Sequence, residues 1–320
     1  MTMLRLPFFD ELDKAQNILL AGAGGGFDVF SGLPLYFGLR AAGKNVFLAS
    51  LSFSFLPPPG VVGEERLSPS LLTVTADTPL LTDYFPELFL AQWFRKQGTE
   101  TPIYCFEREG VKPLRASYRA LVEHLALDTI ILVDGGTDSL MRGDEIGLGT
   151  PQEDITSITA VHELDVDRKM LACLGFGVDR FHGVCHAHFL EAVAELTRQQ
   201  GYLGMFSITQ DMPEAQQYRQ ASEAVFKAMP HHISIVSSSI LSALAGHYGD
   251  HHATPRTGSS ELWINPLMPV YWCFRLAPVA ERILYREAMQ ATESYADVVS
   301  VIKQFRDSPI KIRSRQVIPV

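Results

Sequence analysis

The sequence predicts an α/β fold built on a doubly wound, mostly parallel sheet with helices on both faces. Three observations predict it. Short apolar runs alternate with amphipathic stretches along the chain, as repeated β–α units do. The runs are continuously apolar, without in-and-out alternation, so both faces of the sheet are covered. The first run ends in a glycine cluster that leads directly into a helical stretch, the arrangement in which such folds bind ligands.

Strands are expected at 17–21, 45–50, 102–106, 129–133, 169–174, 203–207 and 232–237. Between the first two, 33–42 forms a helix that stops at Gly43, a residue suited to the left-handed position after a helix. A second helix, 117–127, precedes the fourth strand. The stretch 187–199 places Leu190, Val193, Ala194 and Leu196 near one face, and 214–228 and 280–291 have the same pattern. Irregular loops are expected near 53–70, where Pro57, Pro58, Pro59 and Gly60 break any element, and near 246–261. Neither reads as a domain linker, so residues 1–320 are expected to form a single α/β domain.

Composition narrows the function classes. The net charge of −9 argues against a nucleic-acid or acidic-membrane surface, which needs a basic stripe. Lys311, Arg313 and Arg315 make one small basic cluster, alternating as a strand face would. No apolar run reaches the ~18 residues of a membrane span, and the N-terminal stretch has acidic residues where a signal peptide has its apolar core. The four cysteines, Cys105, Cys173, Cys185 and Cys273, form no C-x-x-C pair. That pattern suits a reducing compartment, so a cytoplasmic location is expected.

The glycine cluster Gly22, Gly24, Gly25 and Gly26, followed by Asp28, carries the first site expectation. Glycines let a ligand approach the backbone, and a helix N-terminus offers N–H groups to an anion. The run comes close to G-x-G-x-x-G, but Phe27 holds the last position, and the second strand, "VFLASLSFSF", supplies no acid for a ribose. No Lys-Ser/Thr ending makes it a P-loop. A dinucleotide site in the usual mode is therefore weakly supported. A cradle for a phosphate or nucleotide is one reading; a turn for close helix–sheet packing is the other. Asp28 could cap the helix, hold a ribose or amine, or bind a metal, and Ser31 sits one turn further on.

The fourth strand ends in a second polar loop, "VDGGTDSLMRGDE". With strand order 3-2-1-4, the loops after strands one and four open onto one crevice. Asp134, Asp138, Asp144 and Glu145 would then crowd negative charge beside Asp28, which a cation relieves. Oxygen-only ligands suit Mg²⁺ or Mn²⁺ better than zinc. Gly135, Gly136 and Thr137 would line the same ligand, and Arg142 could pair with one of these acids or clamp an anionic group of the ligand. The competing reading makes these residues turn caps and solvated surface.

A third stretch, "DRFHGVCHAHFLEAV", offers His182 and His186 as proton-transfer groups, without metal-ligand spacing. The serine-rich "VSSSILSALAG" lacks G-x-S-x-G, which argues against a serine hydrolase.

Together the glycine loop running into "DVFSGLPL", the "VDGGTDSLMRGDE" loop and "GTPQED" at 149–154 resemble an uncharacterised family known only as a domain of unknown function. Its pattern has an N-terminal GGGxD-type loop and a central DxGGDxLxxGxE-type motif. Two departures stand out: Thr137 in the second motif, and "FHGVCHAHF" where a GxDGE-like stretch, near Asp179, is expected. The resemblance implies a Rossmann-like fold and a site at the two loops, and brings no reaction with it.

The leading expectation is a small-molecule enzyme, of transferase or hydrolase type and assisted by Mg²⁺ or Mn²⁺, whose ligand is anionic, phosphorylated or nucleotide-like. A non-catalytic nucleotide or metabolite sensor that forms a homo-oligomer is the alternative. A Rossmann-type oxidoreductase is the third.

Overall fold

The computed structural model describes residues 5–61 and 65–318; within the expected 53–70 loop, 62–64 lie outside the described residues. The strands are β1 (Asn17–Gly25), β2 (Asn45–Leu51), β3 (Arg66–Ser68), β4 (Leu71–Val74), β5 (Ile103–Phe106), β6 (Thr129–Gly135), β7 (Arg168–Leu174), β8 (Tyr202–Ser207), β9 (Gly249–Asp250), β10 (Trp263–Ile264) and β11 (Val270–Arg275). Nine of them form one sheet in the order β3-β4-β5-β2-β1-β6-β7-β11-β8, and β9 and β10 pair separately. The five central strands, β5, β2, β1, β6 and β7, are parallel.

The runs 17–21, 45–50, 102–106 and 129–133 are strands, in the order 3-2-1-4 that places the first beside the fourth. Successive side chains enter opposite apolar layers, as strand geometry requires. Ile18 and Leu20 face one layer, and Leu19 and Ala21 face the other. The first layer is covered by helices Pro7–Asp13, Leu33–Ala41, Pro86–Lys96 and Pro213–Ala228. The second is covered by Val111–Leu125, Pro151–His162, His186–Arg198 and Tyr295–Asp307. The fold is thus α/β, with a mostly parallel sheet between two helical layers. Among the described residues no helix is long and apolar enough to cross a membrane.

Three expectations are corrected. Residues 232–237 do not form a strand; helix Ile235–Leu244 begins there, capped by the Ser234 hydroxyl, which accepts the Ser237 N–H at 3.1 Å. β-branched Ile235 and Val236 are tolerated in a first turn, where no preceding turn crowds them. The edge of the sheet is instead extended by β11, antiparallel to both β7 and β8. The expected helix 280–291 is two short helices, Leu276–Glu281 and Arg286–Met289. Lys311, Arg313 and Arg315 lie in a mostly irregular tail whose Arg313 makes a single bridge to Glu145, not in a strand.

Candidate functional site

β1 and β6 run side by side with Gly22 opposite Val133, so their C-terminal loops meet. Asp134 is the penultimate residue of β6, and Asp28 opens the short helix Asp28–Ser31. Helix Pro151–His162 packs on β1 and delivers Asp154 from its first turn. One carboxylate oxygen each from Asp28, Asp134 and Asp154 lies within 4.8 Å of the others. Asp138, on the turn after β6, and Asp179, on the turn after β7, complete five aspartates lining one cavity of about 520 Å³. Every central strand contributes to it: Asp28 follows β1, Phe53 follows β2, Arg108 follows β5, Asp134 ends β6, and Asp179 and His182 follow β7.

Backbone and hydroxyl donors hold most of these carboxylates. Asp28 accepts the Gly24 N–H at 2.8 Å. Asp138 accepts the N–H and hydroxyl of Thr150 at 2.7 and 3.1 Å. Asp179 accepts the Thr137 N–H at 2.6 Å. Asp134 is held by the Ser139 N–H and hydroxyl. Asp154 differs: it is buried, and its Oδ1 has no hydrogen-bond partner among the described residues.

The glycines of both loops make room for these acids. A Cβ on Gly24 would stand 2.5 Å from Asp28 Oδ2 and 2.9 Å from Asp154 Oδ1; one on Gly135 would stand 2.6 Å from Asp28 Oδ1. Gly136 gives the same clearance to Asp179. The Gly24 N–H points at a side chain of the protein itself.

Packing like charges away from water disfavours their ionisation. Burial, then the charge of Asp138, pushes Asp134 up to about 7. Burial and neighbouring aspartates likewise raise Asp28, Asp154 and Asp179 well above the carboxylate range. Burial also raises Asp138, against the pull of Thr150.

The walls are basic and aromatic. Arg108, Arg256, His182 and His232 line the cavity as well as the acids, as do Phe53, Tyr84 and Tyr295. A larger groove of about 740 Å³, near Tyr36, Trp93 and Pro102, lies toward the N-terminal ends of the strands and gathers no comparable set of acids.

Several expected site residues lie elsewhere. Arg142 pairs with Asp144 through two 3.0 Å bonds, and Asp144 and Glu145 are also held by Arg313 at 2.9 and 2.7 Å. Already neutralised, none of the three lines the cavity. The His186 ring packs at a tilt on Phe176, with centroids 5.1 Å apart, and does not line the cavity; burial lowers its pKa. Ser31 is fully buried behind Gly135, and Gly22 packs on the Asp28 backbone. Gly25 and Gly26 do line the cavity, Gly25 beneath the Phe53 ring and Gly26 with a φ of +67° that favours glycine. Asp154, Glu153, Arg108 and Arg256 were not among the expected site residues. The one sequence signal for the first two was the place of "PQED" one helix turn after the second glycine loop.

Neither the curated proteins nor the solved structures contain a match to this chain. A family model does match residues 19–306, which takes in both glycine loops and all five aspartates, and the chain therefore belongs to the family described as Protein of unknown function (DUF1152).

Proposed function

We propose that this protein is a metal-assisted enzyme, a hydrolase or transferase, that acts on a phosphorylated or nucleotide-like small molecule. One observation carries the reading: three carboxylate oxygens converge within 4.8 Å, and one of the three residues, Asp154, has a buried oxygen with no hydrogen-bond partner among the described residues. A buried acceptor left unpaired is costly, on the order of 1–3 kcal/mol. A cation among Asp28, Asp134 and Asp154 removes that cost and the mutual repulsion together. An all-oxygen donor set fits Mg²⁺ or Mn²⁺, which are held by a few carboxylates and by substrate phosphates.

The bound ion supplies Lewis-acid charge at the crevice floor. The chain's own groups do the rest. Asp28, Asp134 and Asp154 hold the ion, Asp138 and Asp179 tune the field around it, and His182 on the wall is placed to move a proton. An anionic ligand is repelled by the bare floor, so the ion also sets the order in which the site fills. Four free, buried cysteines without a pair support a cytoplasmic location.

Titration calorimetry with Mn²⁺ tests the reading. The wild-type protein is expected to bind one ion, and Asp134→Asn to lose at least about tenfold in affinity, as one charged ligand is removed. A wild-type protein that binds neither Mn²⁺ nor Mg²⁺ overturns it. Turnover of a panel of phosphate esters and nucleotides separates the enzyme from the sensor, which binds without chemistry.

A further inference from the structure

The residue expected to clamp the anion, Arg142, is tied to Asp144 outside the cavity. Another arginine stands where that clamp is needed. Arg108 lies two residues past the end of β5, exposed at the cavity mouth. Its guanidinium carbon sits 5.0 Å from the centroid of the Phe53 ring and 5.3 Å from that of Tyr295. The two rings come from distant parts of the chain: Phe53 follows β2, and Tyr295 begins helix Tyr295–Asp307. That helix start is fixed by a reciprocal cap between Ser294 and Asp297. The Tyr295 hydroxyl in turn donates to Glu153 Oε1 at 3.0 Å, next door to Asp154. The platform under Arg108 is thereby joined to the element that carries the unpaired carboxylate.

Stacking occupies the faces of a guanidinium and leaves its N–H edge available. Arg108 has no ion-pair partner within 4.0 Å among the described residues, although six carboxylates line the cavity below it. A salt-bridged arginine would have spent that edge. Set beside the two rings and donating to the Tyr295 hydroxyl, its guanidinium still has N–H groups paired with no carboxylate among the described residues, and such a fork matches the oxygens of a phosphoryl group.

We propose that Arg108 is the anion-recognition residue of this site, taking a phosphoryl group of a small molecule whose other end is chelated by the ion on Asp28, Asp134 and Asp154. The assignment rests on the metal-site reading above. It narrows the substrate class to molecules with two anionic oxygen groups, such as a diphosphate, one group for the ion and one for Arg108. Phe53 and Tyr295 act as positioning residues for the guanidinium.

Inorganic pyrophosphate is the probe, titrated by calorimetry into protein with and without saturating Mn²⁺. Wild-type protein is expected to bind it only with Mn²⁺. Arg108→Ala is expected to weaken pyrophosphate at least about tenfold, the loss of one bidentate charge-assisted contact, with Mn²⁺ affinity unchanged. Arg108→Lys recovers part of the loss, since it keeps charge without the fork, and guards against a folding defect in the alanine variant. Equal pyrophosphate affinity in wild type and Arg108→Ala, with Mn²⁺ bound normally, overturns the assignment and leaves the metal site standing. Tighter, Arg108-dependent binding of a tricarboxylate than of pyrophosphate overturns the phosphoryl class. Arg108-dependent pyrophosphate binding without any Mn²⁺ binding supports Arg108 and overturns the metal reading. Failure to bind either ligand overturns both.

Discussion

Asp154 shows how a single residue can be out of balance with its surroundings. Its four aspartate neighbours each have donors from the backbone or a hydroxyl, whereas its Oδ1 has none among the described residues. Asp154→Asn keeps the shape and removes one buried negative charge. The expected result is a loss of Mn²⁺ affinity of at least about tenfold, with metal-free stability equal to or above wild type, because like-charge repulsion falls. A thermal melt beside a Mn²⁺ titration checks both; unchanged Mn²⁺ affinity would remove Asp154 from the ligand set. Gly135 tests the clearance argument separately. A Cβ there meets Asp28 Oδ1 at 2.6 Å, so Gly135→Ala should push Asp28 aside and cost on the order of 1–3 kcal/mol. At this scale the sequence was partly readable. Asp28, Asp134 and Asp138 stand out beside glycine runs, and the glycines were legible as places of close approach. What approaches them, aspartates of the chain itself, depends in most cases on contacts between loops 43 (Gly136 to Asp179) to 130 (Gly24 to Asp154) residues apart, which local pattern does not encode.

The elements around the site explain why Arg142, Asp144 and Glu145 drop out of it. The chain after helix Tyr295–Asp307 returns along the loop after β6 and ties it down. Arg306 donates to the carbonyls of Gly143 and Glu145 at 2.9 and 2.6 Å, and Arg313 reaches both Asp144 and Glu145. Arg315 donates to the Gly183 carbonyl at 2.8 Å, so the same tail also touches the turn that carries Asp179 and His182. The acids read as metal ligands are thus the buried anchor of a C-terminal strap. Removing one partner of such a buried pair leaves a charge stranded, so Arg313→Ala should cost on the order of 3 kcal/mol in denaturant unfolding. A change below about 0.5 kcal/mol would mean the strap is ordinary surface. The strap was invisible in sequence because the three basic residues have the spacing of a strand, and only their partners distinguish the two. The misread run 232–237 has a similar cause. A short run with Ile233, Ile235 and Val236 among His and Ser fits strand or helix equally, and Ser234 as a cap was the signal for a helix.

For the molecule as a whole, strand order brings the two glycine loops together. Order 3-2-1-4 is one of the orders that alternating β–α units adopt, and here it brings loops more than 100 residues apart onto one crevice. The same convergence stores charge, and this gives stability a pH dependence of definite sign. An unfolded aspartate titrates near 3.9, whereas Asp134 is pushed up to about 7 by burial and Asp138, and Asp28, Asp154 and Asp179 are also raised. Through that window the folded protein binds more protons than the unfolded chain, so this contribution to stability falls as pH rises and is gone above the raised values. Asp144 works in the opposite sense. Burial alone would raise it, but Arg142 and Arg313 hold it below its ordinary value, so its contribution is present at neutral pH and lost in acid. Metal-free protein should therefore melt at a higher temperature near about pH 5.5 than near about pH 8. A cation that displaces the protons reverses the trend: Mn²⁺ should bind more tightly at the higher pH and raise the melting temperature most there. Proton release gives an independent check, because the apparent enthalpy of Mn²⁺ binding must then vary with the ionisation enthalpy of the buffer. Asp134→Asn should flatten both dependences together. Metal-free melting that rises steadily from about pH 5.5 to about pH 8, with no response to Mn²⁺ at either end, would mean that the aspartates are satisfied without an ion.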